Sequence, residues 1–502
     1  MISVFNDAKR ITLSAWSWPS REVASQLAAG YKDTGTSERK IDLLYTTPSH
    51  HAELLDCIVQ VDLKRFTSCL LSSLAISLRV DASVDSMQKH NLYVLAHVVT
   101  DIGSKKTFFI GFDVPRGNTA LACQEVTQNI VEEILPWDNL LSLTTSLVTD
   151  GEATHTGQFT GLWERLRKEK QEINNEPFIT TWCIGHRVNL GWKATSSMRK
   201  IDYLIKNVTS ISSYFHCSGE RTRLLVATAT EKNLTQPLHY PKYFEIRWTE
   251  FTHHLLHVFL RNWNVMVWYF KSAKEIRYEK FWLSLSRLRL AAFVCDVLTV
   301  IKTFQKTFQS NSITIMHLPS KARQLIEDLI ALKATPLENG WDQLLLKELK
   351  TSADDTVSLR DHTFLEDDRL RSDGFIFSRT DRNDIIDSLI TNLNEYLNKD
   401  VEIQGGLAPL LELNPDASHE SLNRCHSIII PEMDIAVFIG EYEEASTLLN
   451  EGQRKEPLTN ILNLEKISSK RFTTLKTALA RGCVIKPHSA DVENLISICT
   501  SQ

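Results

Sequence analysis

Residues 74–81 read LAISLRVD, and residues 143–150 read LTTSLVTD. Each is a short, strand-like apolar run that ends on an aspartate, so each predicts a strand that delivers a carboxylate at its end. Between them, NLYVLAHVV (91–99) and KTFFIGFDV (106–114) predict two further strands. Their connections, DSMQKH at 85–90 and DIGSKK at 101–106, are of hairpin length. Ala122, Val126, Ile130 and Ile134 then recur every four residues, which marks an amphipathic helix. Phe159, Leu162, Trp163 and Leu166 follow at i, i+3, i+4 and i+7 and mark another. FITTWCI (178–184) is a fifth strand, and Ile201, Leu204, Ile205, Val208 and Ile211 line one face of a long helix.

The order is therefore three strands, then helix, strand, helix, strand, helix. It predicts an α/β fold whose first three strands are antiparallel and whose later strands return through helices. This is the strand order of an RNase H-like mixed sheet, in which the first and fourth strands are neighbours. Asp81 and Asp150 would then stand at adjoining strand ends. Two hard cations about 3.5–4 Å apart, held by such acids, clamp the attacking and leaving oxygens of a phosphodiester. Asp85 is the other acid of the first block, and the strand end favours Asp81. An aspartate at a strand end is also a common turn or cap residue.

Beyond Trp248 helical patterns dominate to about residue 400, with loops expected at 405–418 and 450–457 and a polar, flexible excursion at 351–384. Near the C-terminus a helix over 472–480 leads through Gly482, read as a helix stop, to an extended CVIKP and then SADVENLIS. Ser489 suits the N-cap of a last helix, with Asp491 in its first turn and Val492, Leu495, Ile496 and Cys499 on its apolar face. Glu493 lies at the edge of that face, directed toward a polar site. The expected divisions are a helical segment at 1–70, the first part of the core at 71–250, a large all-helical insertion at 251–470, and a returning segment at 471–502.

The bulk composition narrows the class. A chain of 502 residues, 43% hydrophobic and 23% charged, has the makings of two or three cored domains rather than a disordered polymer. Nine scattered cysteines without a CxxC pair argue against a disulfide framework or structural zinc finger. The first residues contain no apolar signal core, and no uncharged apolar run reaches bilayer length, so a soluble intracellular protein is expected. A net charge of −5 argues against strong non-specific DNA binding by the whole surface. One local exception is 261–290, where seven Lys/Arg against two Glu are interleaved with Trp263, Trp268, Tyr269, Tyr278 and Trp282. Helix packing with solvated cations and a DNA groove are the two readings of that stretch.

Five blocks in order resemble the hAT superfamily of cut-and-paste DNA transposases and the host proteins derived from them. RVDASVD and SLVTDGEATHTG resemble the blocks of the first and second acids, and TWCIGHRVNL resembles the C-x-x-H-x-x-N-L signature. EIRWTEF resembles the Arg-Trp block, and HSADVENLIS the S-A-x-x-E-x-x-x-S motif of the third acid. The resemblance implies an RNase H-like core interrupted by a helical insertion, with Asp81, Asp150 and Glu493 as a DDE triad binding Mg²⁺ or, in its place, Mn²⁺. It implies that Cys183 and His186 lie near bound DNA, that Trp248 stacks on a displaced base and that Arg247 contacts phosphate.

The implied activity is metal-dependent DNA cleavage and strand transfer, in the nucleus. The family also carries an N-terminal BED-type zinc finger, whose Cys/His cluster is not found here, and a dimerisation region after the glutamate motif, of which this sequence holds little before Gln502. The homo-oligomer expected of the family therefore has an incomplete dimerisation region. The rival expectation is a domesticated, non-catalytic nuclear protein that binds DNA or partner proteins. A third is SUMO transfer, from SIIIPEMD at 427–434, a β-branched run followed by acids that suits addition to a sheet edge.

Overall fold

In this computed structural model the described residues are 48–84, 89–241, 248–308, 310, 313–353, 356–364 and 377–489. The chain separates into two compact units. The first comprises residues 1–183, 314–316 and 405–502, and the second comprises 184–313 and 317–404. The division thus falls at residues 183/184 and 404/405, whereas the sequence placed the insertion at 251–470. Residues 405–470 belong with the sheet-bearing unit.

In the first unit the helix α1 (Pro48–Leu71) precedes β1 (Ala75–Val84), β2 (His90–Val99) and β3 (Lys105–Asp113). Then come α2 (Ala120–Glu132), α3 (Trp137–Leu143), β4 (Thr144–Thr149), α4 (Ala153–Thr156), α5 (Leu162–Ile173) and β5 (Ile179–Trp182). The five strands form one mixed sheet in the order β3-β2-β1-β4-β5. β1 pairs antiparallel with β2 and β2 with β3, while β1–β4 and β4–β5 are parallel. The alternation in β1 explains its two faces. Ile76, Leu78 and Val80 enter a core with Val94, Ala96, Val98 and Leu147, covered by apolar residues of α1, α2, α3 and α5. Ser77, Arg79 and Asp81 take the opposite face, against which the Thr473–Val484 helix packs. Because both faces are covered, β2 is buried at nearly every position, which is why it reads as a continuous apolar run.

Parallel pairing of β1 with β4 contains a register shift. Ile76 pairs with Thr144 but Ser77 with Ser146, so Thr145 is an extra residue on β4. The offset changes from 144 − 76 = 68 to 146 − 77 = 69. After the shift Leu78 meets Leu147 and Arg79 meets Val148. Two residues further on stand Asp81, inside β1 rather than at its end as the sequence reading had it, and Asp150, just past the end of β4; their numbers differ by the same 69 (150 − 81). Without the bulge Thr149, not Asp150, would be level with Asp81. The buried hydrogen bond from Ser146 Oγ to Ser77 Oγ, 2.7 Å long, sits on the first pair after the bulge and pins this register.

Several elements differ from the sequence reading. The helix expected to include Phe159 begins only at Leu162, and Phe159 is exposed. Gly482 does not stop its helix, which runs from Thr473 to Val484. Close packing is the reason for the glycine there, since a Cβ would lie 3.0 Å from Leu410 Cδ1. Part of the expected loop at 450–457 is a one-turn helix, Glu451–Arg454, with a capping box from Asn450. At 427–434 the β-branched run is the end of the His419–Ile429 helix, with Ile429 and Ile430 fully buried. The segment is thus the end of a helix and the turn after it, not the extended strand that the sequence suggested for addition to a sheet edge.

The second unit is built around helices, including Ile184–Ser196, Arg199–His216, Trp248–Ser272, Leu285–Phe308 and Arg379–Leu397. Trp263, Tyr269 and Trp282 from the basic-aromatic stretch are buried in its core, so there the packing reading holds for these rings. Within the span expected to be a flexible excursion, Val357–Leu359 is the central strand of a small antiparallel sheet, pairing with Leu349–Thr351 on one side and His362–Thr363 on the other. Among the described residues no helix is long and apolar enough to cross a membrane.

The serine pair gives a direct check on the register. Ser146→Ala should cost about 1–3 kcal/mol in urea unfolding, because it strips the partner from a buried hydroxyl. The Ser77→Ala, Ser146→Ala double variant should lose less than the two single losses added together.

Candidate active site

Neighbouring strands in a sheet lie about 4.8 Å apart, and the β1–β4 pairing runs as far as Arg79 and Val148, two residues before Asp81 within β1 and two before Asp150, which directly follows β4. Alternation gives Asp81, which lies within β1, the same face as Arg79. Each carboxylate is held by a specific neighbour. Asp81 Oδ1 accepts from the amide of Ala82 at 2.9 Å, and Oδ2 accepts from Ser489 Oγ at 2.9 Å. The amide of Ser489 in turn donates to Cys183 Sγ at 3.4 Å. Cys183 continues the β5 edge, its amide donating to Thr149 O at 2.8 Å. Thr181 Oγ1 donates to Lys486 O at 3.2 Å, so the segment ahead of Ser489 is tied to β5 as well. A residue 408 positions after Asp81 thus closes over its carboxylate.

Asp150 is held from the other side. Its Oδ1 bonds Nδ1 of His155, a residue with 3% of its side chain exposed, while the Asp150 side chain keeps 14%. α4, a single turn, places the imidazole five residues after the acid. Burial alone would lower the His155 imidazole, but its bond to Asp150 and a further contact with the Cys123 thiol outweigh that and raise it to about 10. The turn after Asp150 is equally constrained. A Cβ on Gly151 would overlap the indole of Trp182, so only glycine allows that ring to lie across the turn. Trp163 Nε1 donates to Thr149 Oγ1 at 2.9 Å, anchoring α5 to the last residue of β4.

Positive charge collects on the same face. Arg79, two residues before Asp81, and Lys486 are both fully buried. His97 and His488 share this environment: burial first, then the Arg79 guanidinium and the Lys486 ammonium, hold both imidazoles well below their ordinary value. They are therefore neutral at pH 7, and the two cations that act on both are Arg79 and Lys486.

Of the residues expected at the site, Asp81 and Asp150 each stand two residues beyond the last β1–β4 pair, Arg79 with Val148. Cys183 is 2% exposed and spends its sulfur on Ser489, so it braces the site from within instead of presenting a DNA-contacting surface. His186 lies in the first turn of the Ile184–Ser196 helix, half-buried, in the second unit. Trp248 opens the Trp248–Ser272 helix, but its side chain, like Arg247, Glu493 and the helix expected after Ser489, lies outside the described residues. Among the described residues no group of three or more His, Cys, Asp or Glu gathers as a metal-ligand set. His155, Gly151 and Trp182 were not singled out from the sequence. A histidine one short turn after a strand-end aspartate was the available signal for the first, and the glycine directly after that aspartate for the second.

No family model matches the chain, and no curated protein matches it.

The His155–Asp150 pair has a pH signature. Its imidazole is raised in the folded state, so the stability it contributes is fully present below the unfolded value near 6.5 and is lost as pH rises through about 10. The difference in urea midpoint between wild type and His155→Gln should therefore shrink between pH 6 and pH 10. Separately, Gly151→Ala should destabilise the protein by about 1–3 kcal/mol by displacing the Trp182 ring, measured by thermal unfolding.

Proposed function

We propose that this protein derives from a hAT-type DNA transposase, that its five-stranded sheet is an RNase H-like core, and that its ancestral chemistry is Mg²⁺-dependent DNA cleavage and strand transfer in the nucleus. The observation that supports the reading is the parallel pairing of β1 with β4, whose last pair, Arg79 with Val148, stands two residues before Asp81 and two residues before Asp150. The sheet order β3-β2-β1-β4-β5, with an antiparallel first half, is the order such a core has.

The donor set fits hard divalent cations. Two carboxylates stand two residues beyond the last β1–β4 pair, and Ser489, which donates to Asp81, is followed four residues later by Glu493. That tether is at most about 14 Å long. Asp81, Asp150 and Glu493 would hold Mg²⁺, or Mn²⁺ in its place, and the ions would supply positive charge at the scissile phosphate and an activated water.

This chain's own residues do the positioning. Ser489 and the Ala82 amide fix the rotation of the Asp81 carboxylate, and His155 fixes that of Asp150. Each bond takes one lone pair of an oxygen and leaves the carboxylate with others for a ligand. Arg79 and Lys486 offset part of the negative charge that the acids and a DNA phosphate bring to one face. No side-chain nucleophile is required, since water and then a DNA 3′-hydroxyl are the attacking groups. Arg247 and Trp248 carry, on the family resemblance, a phosphate contact and a base contact.

Incubation of the full chain with supercoiled plasmid and Mg²⁺ tests the reading. Nicked circles should accumulate, Mn²⁺ should substitute, chelation should stop the reaction, and Asp150→Asn should slow it about 100-fold or more. Wild-type protein that binds DNA but makes no metal-dependent nick contradicts the cleavage reading and leaves a DNA-binding role for the same fold.

A further inference from the structure

We propose that Phe159 is an aromatic platform that stacks on an unpaired base of the DNA strand lying across the Asp81–Asp150 end of the sheet. The inference rests on the reading of that site as one that acts on DNA, and it adds a residue that the motif blocks do not assign.

Helical spacing in the sequence put Phe159 on the inner face with Leu162, Trp163 and Leu166. In the structure α5 begins at Leu162, its Leu162 and Leu166 side chains are fully buried, and Phe159 is 78% exposed. The next most exposed of the described Phe, Tyr and Trp residues is Tyr203, at 39%. Leaving a phenyl ring in water forgoes roughly 1.5–3 kcal/mol of burial, so the local backbone has to hold it out.

The loop does that. The Gly157 amide donates to Ala153 O and the Gly161 amide to Gly157 O, each at 2.9 Å. A Cβ at Gly161 would lie 2.6 Å from Gly157 O and 2.8 Å from His155 O, so the two ends of the loop touch and only glycine permits it. Arg165 Nε donates to Thr160 O at 3.0 Å and clamps the loop from α5. Gln158, Phe159 and Thr160 form the exposed tip of this pinched loop.

Its base rests on the backbone of His155, whose imidazole holds Asp150. Phe159 is two residues from Gly161, a reach of at most about 7 Å, which is about two nucleotides of stacked strand at 3.4 Å each. A base is the occupant the surroundings favour. The ring stands alone between polar residues, without the contiguous apolar area that a protein interface needs. A single flat ring, with the Arg165 guanidinium held on the carbonyl of the next residue, suits one nucleobase and its phosphate, and stacking of this kind tolerates any sequence.

The test is fluorescence anisotropy of the full chain with a labelled 20-nucleotide single strand, alongside the matching duplex, and a strand carrying 2-aminopurine as a stacking reporter. Phe159→Ala should weaken single-strand binding about 5- to 100-fold, with an unchanged circular dichroism spectrum because the ring touches no core. Phe159→Trp should bind like wild type, and 2-aminopurine should be quenched by wild type but not by the alanine variant. Equal single-strand affinity for wild type and Phe159→Ala overturns the platform and leaves the proposed function standing, as does a Trp variant as weak as the Ala variant. Wild-type protein that binds neither strand nor duplex overturns the DNA reading itself, and the platform with it.

Discussion

Parallel pairing between β1 and β4 is the constraint on which the rest of this protein depends. It joins segments about seventy residues apart in sequence, and its one-residue bulge decides which residue of β4 ends level with Asp81. A strand slipped by one position would turn every side chain to the other face. Here that slip would put Asp150 into the apolar layer of Leu78 and Leu147 and would separate Ser77 from Ser146. The apolar core and the buried hydroxyl pair therefore favour the same register. The placement of the two acids follows from that agreement.

Around this pair the fold supplies braces, not additional acids, among the described residues. Cys183, Ser489 and Asp81 form a relay from β5 through the C-terminal segment to β1. His155 and Gly151 fix the turn beyond β4. Both carboxylates are thus partly withdrawn from water yet hydrogen-bonded, which limits the desolvation cost of keeping them charged. Side chains oriented in this way need little rearrangement to accept a ligand.

The sequence was most informative where periodicity was strong. All five strands of the large sheet are found where alternation or β-branching marked them, the first running four residues beyond Val80 to Val84 and the others within one or two residues, because a strand with an apolar face has few other ways to bury it. Asp150 does follow the last residue of β4, whereas Asp81, read as the residue that closes its strand, lies inside β1 because pairing with β2 continues to Val84. The bulge was not legible, since Thr144, Thr145 and Ser146 are chemically alike and one extra residue among them leaves no mark in the pattern. Phe159 was misplaced because helical spacing records which residues could share a face, not where the helix starts; Gly157 and Gly161 decide that. Isoleucines at 428–430 misled in a similar way, since β-branched residues also close a buried helix end. The roles of Cys183 and Ser489 depend on a contact spanning 306 residues, beyond the range of any local pattern.

The central claim is that acids distant in sequence share cations at one end of the sheet. Crystals of the full chain soaked in Mn²⁺, with anomalous scattering collected at the manganese edge, address it most directly. The expected map has metal peaks within about 2.0–2.4 Å of carboxylate oxygens of both Asp81 and Asp150. A map with no peak on either residue at millimolar Mn²⁺, or with the two carboxylates pointing away from each other, would contradict the account.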